Sequence, residues 1–432
     1  MKILITGLCL SRNLGGPAMG LTLVEQLKRR IPHVDFVFAV DANSYQQEKK
    51  WADYYGVDIV RRDNIVHHLL NTRIAILLRC LYRMIKGKRP LFPDSVIPRQ
   101  IHKEYLSAIS ECDAVISMMG VSYVGDSVGG FFEGPRSYSS LYYSNKLKKP
   151  FSHFVQSFGP FQDRKVRYFA RKDFNQVDFI PARGKSSAKL CREIVKAPGK
   201  VYDFPDIAIL LPATSEPWTS NYLKAHDLYS GDYTILSPSS VIYNMRSSIG
   251  RSVGAKHILT FFIIAKKLLS LGDKILFLPH MYSDNKSQCD REVCYKIINL
   301  LIDRGEDMSH CRIVEDDIDT QQAKALISSA RRAIVSRYHA LVAAISTGVP
   351  VITIGWNIKY YDLMYYYGIE KMAIDARLLE PEDICLKVFE LLSEYNRGGY
   401  EQILKNNQAK NIAHVQHAFD LLEDWLRKNV KN

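Results

Sequence analysis

Short β-branched runs alternate with longer amphipathic stretches along most of this 432-residue chain, and that alternation constrains its fold more than any other feature. Period-2 or uniformly apolar runs of four to seven residues are strands, and the amphipathic stretches between them are helices that bring the chain back for the next strand. The pattern is that of βαβ units around parallel sheets. Strands are predicted at Lys2–Thr6, Val34–Val40, Ala114–Met118, Phe151–Gln156 and Phe179–Pro181, then at Tyr233–Ser237, Lys274–Leu278, Arg312–Val314, Ala333–Val335 and Pro350–Ile354. Two wound sheets follow, hence an α/β chain of two Rossmann-like domains with a cleft between them. Around Pro205, Pro212 and Pro217 neither period persists. The expected organisation is an N-terminal domain over 1–210 carrying a glycine-rich loop, a linker over 211–232, a C-terminal domain over 233–399, and helices over 400–432 packing back on the first domain.

Composition removes several classes of function. Eight cysteines are spread without a CxxC pair or zinc-type spacing, which reads as free thiols in a reducing, cytoplasmic compartment. The apolar start Ile3–Leu10 is broken by Gly7 and followed by Arg12, so it reads as a first strand and not as a signal peptide. No run approaches the ~20 uninterrupted apolar residues that a membrane span needs. The 58 Lys and Arg against 45 Asp and Glu leave a formal charge of +13, which selects for anionic partners. The basic residues are dispersed and no nucleic-acid-binding motif occurs, so nucleic acid is excluded as the partner. Arg73–Arg89 reads as a basic amphipathic helix suited to an anionic membrane face.

Ligands of such folds bind beyond the carboxyl ends of strands, so the residues following each strand are the candidates. After the first strand comes Asn13-Leu14-Gly15-Gly16-Pro17, a glycine-rich turn into a helix, which favours an anion but lacks dinucleotide spacing. After the run Ala333–Val335 come Ser336-Arg337-Tyr338-His339, then a small-residue helix ended by Gly348. That places a fixed cation and a titratable imidazole at one helix N-terminus, facing one anionic ligand. Lys359 ends the next strand in the same layer. The acids Glu315, Asp316, Asp317 and Asp319 precede a helical stretch and read as its cap, so no metal site is expected.

The series Ser336-Arg337-Tyr338-His339-Ala340-Leu341, Gly348-Val349-Pro350 and Asn357-Ile358-Lys359 resembles the C-terminal signature of the polysaccharide pyruvyl transferase family. Asn13-Leu14-Gly15-Gly16 is similar to that family's opening loop, Gln156-Ser157-Phe158-Gly159-Pro160-Phe161 to its Gly-Pro-Phe segment, and Arg183-x-x-Ser186 to its Arg-acid-x-x-Ser step. Gly16 and Gly184 stand where the family carries acids. The resemblance spans about residues 3–375. It implies a glycosyltransferase-B-like fold, phosphoenolpyruvate as co-substrate with no other cofactor, and ketal formation on a sugar of a surface polysaccharide or its lipid-linked precursor in the bacterial cytoplasm.

On that reading Arg183, Arg337, His339 and Lys359 bind phosphoenolpyruvate, whose phosphate and carboxylate need several cations. His339 transfers a proton, Arg337 clamps the donor, and the acceptor's base is either Asp126 or His280, both near strand ends. A glycosyltransferase of the same architecture that uses a nucleotide-sugar donor is the alternative.

Overall fold

The computed structural model describes residues 1–11, 13–62, 99–124, 140–245, 253–397 and 399–430, and places them in two compact units. The basic stretch 73–89 and Asp126 lie outside the described residues. The first unit comprises Met1–Ser11, Leu23–Phe204 and Val415–Asn432, and the second Arg12–Thr22 and Pro205–His414.

In the first unit, β1 (Lys2–Thr6), β2 (Asp35–Asp41), β3 (Asp58–Arg62), β4 (Ala114–Ser117) and β6 (Phe151–His153) form a parallel sheet in the order β3-β2-β1-β4-β6. Two small parallel pairs accompany it: β5 (Val121–Ser122) with β7 (Ser157–Phe158), and β8 (Ile180–Arg183) with β9 (Val201–Phe204). The strand expected over 151–156 stops at His153. Val155 has φ 32°, outside the extended region, so the chain turns and resumes as β7. Strand β3 was not expected, because Asp58-Ile59-Val60-Arg61-Arg62 gives only two consecutive apolar residues.

In the second unit all six strands are parallel: β10 (Tyr233–Ser237), β11 (Lys274–Phe277), β12 (Cys311–Ile313), β13 (Arg332–Val335), β14 (Val351–Gly355) and β15 (Ala373–Asp375). Their order is β12-β11-β10-β13-β14-β15, which is the 3-2-1-4-5-6 order of a dinucleotide-binding-type sheet. Every residue of β10 and β14 is buried, as a strand covered on both faces requires. The winding direction reverses between β10 and β13, and outside their carboxyl ends lies the crevice where such sheets bind ligands.

The clustering departs from the expected organisation at the linker and at the glycine-rich loop. The stretch 211–232 is no linker: it holds the helix Glu216–Ala225 and clusters with the second unit, whose boundary falls at Pro205. The glycine-rich loop also clusters with the second unit, because Asn13 bridges Met281 and Leu14 N donates to His280 O at 3.2 Å. Residues 400–432 contain one continuous helix, Tyr400–Asn429, divided between the units. Its first half donates Asn407, Gln408 and Asn411 amides to the carbonyls of Tyr367, Ser346 and Tyr366. Its second half packs Phe419 on Phe154, with centroids 5.1 Å apart, and donates Trp425 Nε1 to Asp178 in the first unit. Among the described residues no helix is long and apolar enough to cross a membrane.

Candidate functional site

Arg337 follows β13 as the N-cap of the helix Tyr338–Ser346, with extended backbone. Its guanidinium grips Asp290 in a two-pronged contact: Nε donates to Oδ2 at 2.7 Å, and Nη2 donates to Oδ1 and to Ser240 Oγ. Asp290 is fully buried and opens the helix Asp290–Asp303, whose dipole favours a carboxylate there. It also accepts from Ser240 N at 2.8 Å and His280 N at 3.2 Å. One carboxylate therefore ties together the loops after β10, β11 and β13. Fork geometry of this kind is the strong form of an arginine contact, and it holds the guanidinium in one orientation.

His339 lies two residues further on, in the first turn of the same helix. Its Nε2 is 3.6 Å from Asp206 Oδ2. Asp206 is fully buried, and its Oδ1 accepts from Ala208 N at 2.8 Å to cap the short turn Ile207–Leu210. Against the other side of the ring lies Gly15, where an added β-carbon would overlap Nδ1 and Cε1. Here glycine is required by close approach, whereas its neighbours in the loop serve the turn itself: Asn13 Oδ1 accepts from Gly15 N at 3.0 Å and Asn13 O from Gly16 N at 3.1 Å.

A small pocket is lined by Leu14, Ala18, His280, Thr320, Lys324 and His339, among others. Its polar groups differ in their protonation. Burial pulls His280 down to about 4, with Arg337 and His339 adding to that effect against the opposing pull of Asp290. At neutral pH its ring is uncharged, and Nδ1 lies 3.4 Å from Ser237 Oγ. Burial also lowers Lys324, to about 8, and the Asp206 carboxylate opposes the shift. Lys324 Nζ donates to Ile209 O at 3.3 Å.

Lys359 lies in the first turn of the helix Ile358–Tyr367, after β14. Its ammonium is over the ring of Tyr338 at 5.0 Å and near those of Trp356 and Tyr360 at 5.7 Å each. Asn13, Gly15, Gly16, His280, Arg337, His339 and Lys359 thus all belong to the second unit. Arg183 does not. It ends β8 in the first unit with 2% exposure, donating Nε to Ser157 Oγ at 3.1 Å and Nη2 to Gly120 O. Those bonds tie the turn after β4 to the start of β7.

Asp206, Asp290 and Lys324 were missed from sequence. Lys324 had a usable signal: Thr320, Ala323, Lys324 and Ile327 form one buried i, i+3, i+4, i+7 stripe, and a lysine on an apolar stripe is unusual. Asp206 and Asp290 carry no local pattern, since their partners come from other loops. Asp319 caps its helix through a full capping box with Gln322. Among the described residues no group of three or more His, Cys, Asp or Glu could hold a metal ion.

Three solved structures show the fold. Anabaena Alr3699/HepE in complex with UDP and glucose matches with a TM-score of 0.56 at 11% identity, covering 99% of this chain and 100% of that one. The S. aureus MnaA–UDP co-structure gives 0.58 at 13%, covering 99% and 97%. The UDP-GlcNAc 2-epimerase from Neisseria meningitidis bound to UDP-GlcNAc gives 0.54 at 12%, covering 99% and 100%. At such identities the likeness is one of fold: two Rossmann-like domains of the glycosyltransferase-B-like type. In sequence, the amylovoran biosynthesis protein AmsJ of Erwinia amylovora is 20% identical over 405 residues, 91% of this chain and 93% of that protein. The model of the polysaccharide pyruvyl transferase family matches residues 13–358, Asn13 to Ile358, and the chain belongs to that family.

Proposed function

We propose that this protein transfers the pyruvyl group of phosphoenolpyruvate to a sugar of a surface polysaccharide or its lipid-linked precursor, closing a pyruvate ketal. The observation that carries the reading is the Arg337–Asp290 fork beside His339 at the carboxyl ends of β10 and β13. In the reaction a sugar hydroxyl bonds to the enol carbon while the methylene carbon takes a proton. The carbon–oxygen bond to phosphate then breaks, and a second hydroxyl closes the ring. Of the two hydroxyl protons released, one ends on the methyl group and one on phosphate. Such a step requires a proton donor at the methylene carbon and fixed cations at the leaving phosphate.

His339 is the donor, Arg337 the clamp, and Lys359, held over three aromatic rings, the second cation. The glycine-rich loop Asn13–Gly16 admits the donor close to the backbone. Arg183, which the family's motif makes the other clamp on phosphoenolpyruvate, stands at the end of β8 in the first unit, its guanidinium donating to Ser157 and Gly120. Asp126 and His280 remain the candidates for the acceptor's base, His280 as a neutral ring. The enzyme works in the bacterial cytoplasm, and the basic stretch 73–89 is the element suited to an anionic inner-membrane face. The test is a steady-state assay of inorganic phosphate released from phosphoenolpyruvate in the presence of sugar acceptors. Acceptor-dependent release that is lost in Arg337→Ala supports the reading. Turnover of a nucleotide sugar without phosphoenolpyruvate overturns it.

A further inference from the structure

We infer that Asp206 is the positioning residue for His339: its carboxylate faces Nε2, so that Nε2 keeps its hydrogen and Nδ1, on the Gly15 side, is the nitrogen that carries the transferred proton. The inference rests on the role proposed above for His339. It stands on four features of the second unit. Asp206 is fully buried, and Oδ2 is 3.6 Å from Nε2. Its other oxygen is held by Ala208 N, which fixes the carboxylate plane. Gly15 lies against Nδ1 and Cε1, so that nitrogen faces the glycine-rich loop and not the carboxylate. Lys324 is buried beside Asp206 and donates to Ile209 O in the turn that Asp206 caps, keeping a cation next to the carboxylate.

A buried carboxylate on one imidazole nitrogen selects the tautomer and stabilises the imidazolium, leaving the opposite nitrogen to exchange protons. In this reaction the His339 imidazolium gives its Nδ1 proton to the methylene carbon and becomes the neutral ring whose Nε2–H faces Asp206. The proton released by the second hydroxyl at ring closure restores Nδ1–H. The proton of the first hydroxyl leaves on phosphate, so the cycle returns the enzyme unchanged. On the side of β10 and β13, Arg337 is ion-paired with Asp290, and His280 is uncharged at neutral pH.

The experiment is two-bond ¹H–¹⁵N correlation on the full chain with ¹⁵N-histidine, the His339 ring being assigned by its absence in His339→Gln. At a pH where the ring is neutral, the account expects the Nε2–H tautomer, and an Nδ1–H ring overturns it. In kinetics, Asp206→Asn is expected to lower kcat about 100-fold with KM for phosphoenolpyruvate changed less than about threefold, and Asp206→Glu to restore part of it. Unchanged kcat in Asp206→Asn overturns the inference. If Asp206→Asn does not fold, the wild-type tautomer decides alone. Full activity in His339→Ala instead refutes the functional reading, an outcome the tautomer measurement does not depend on.

Discussion

His153 and His339 both stand at the carboxyl end of a parallel strand, one in each unit, and they have opposite surroundings. His153 ends β6 with no exposure. The rings of Tyr123, Phe151, Phe158 and Phe174 surround it at centroid distances of 5.0 to 6.5 Å. Burial alone pushes it down to about 3, and its Nδ1 is satisfied by Gln156 Nε2 at 3.0 Å. His339 keeps 16% of its side chain exposed, with a buried carboxylate at 3.6 Å and a lysine behind it. An imidazole in an aromatic cage is held neutral and packs. One set against a carboxylate can hold a proton and release it. Chemistry is thus located by the counter-charge built beside the ring and not by the ring's burial or its place on a strand.

Four substitutions would break or sharpen that contrast. His339→Ala is expected to lower pyruvyl transfer about 1000-fold, the scale of a lost proton-transfer group, whereas His153→Gln changes kcat less than about twofold. Equal losses in steady-state assays would erase the distinction. Asp290→Ala strips the partner from Arg337 and leaves a buried guanidinium uncompensated, so urea denaturation should register a loss of about 3–5 kcal/mol. Gly15→Ala forces the His339 ring away from the loop. Activity should fall about tenfold with little change in melting temperature, because the strain falls on one side chain at the pocket.

The smallest effect is on acid stability. The folded pKa of His153 lies below the unfolded value near 6.5, so the unfolded chain binds its proton first as the pH falls. Stability present above pH 6.5 is therefore lost progressively toward pH 3. His257 and His280, lowered by burial to about 3 and about 4, act with the same sign. His153→Phe should flatten the decline by about 1–2 kcal/mol between pH 6.5 and 5, read from urea midpoints at the two pH values.

The parts of this molecule that are legible in its sequence are those written locally. β1, β10 and β14 announce themselves as apolar runs, and Arg337, His339 and Lys359 as polar residues just past such runs. What is written across distance is not legible. Arg12–Thr22 follows β1 directly, yet clusters with the second unit through Asn13 on Met281 and Gly15 on His339, contacts across more than 260 residues. Asp206 reads as a loop acid between Pro205 and Ile207, and Asp290 as an ordinary helix-opening acid. Their meaning comes from the side chains that tertiary structure sets against them. Arg183 shows the same limit: a motif singles it out as a ligand clamp, and only the fold shows that its guanidinium also donates to Ser157 and Gly120.

The claim that the Arg337–His339 corner of the second unit holds the donor is tested most directly by the thermal unfolding of wild type and Arg337→Lys with increasing phosphoenolpyruvate. Lysine keeps the charge but not the fork. Wild type should gain stability, about 2.7 kcal/mol at 100 times Kd, and Arg337→Lys should gain little. A wild type indifferent to phosphoenolpyruvate but stabilised by a nucleoside diphosphate sugar would contradict the account.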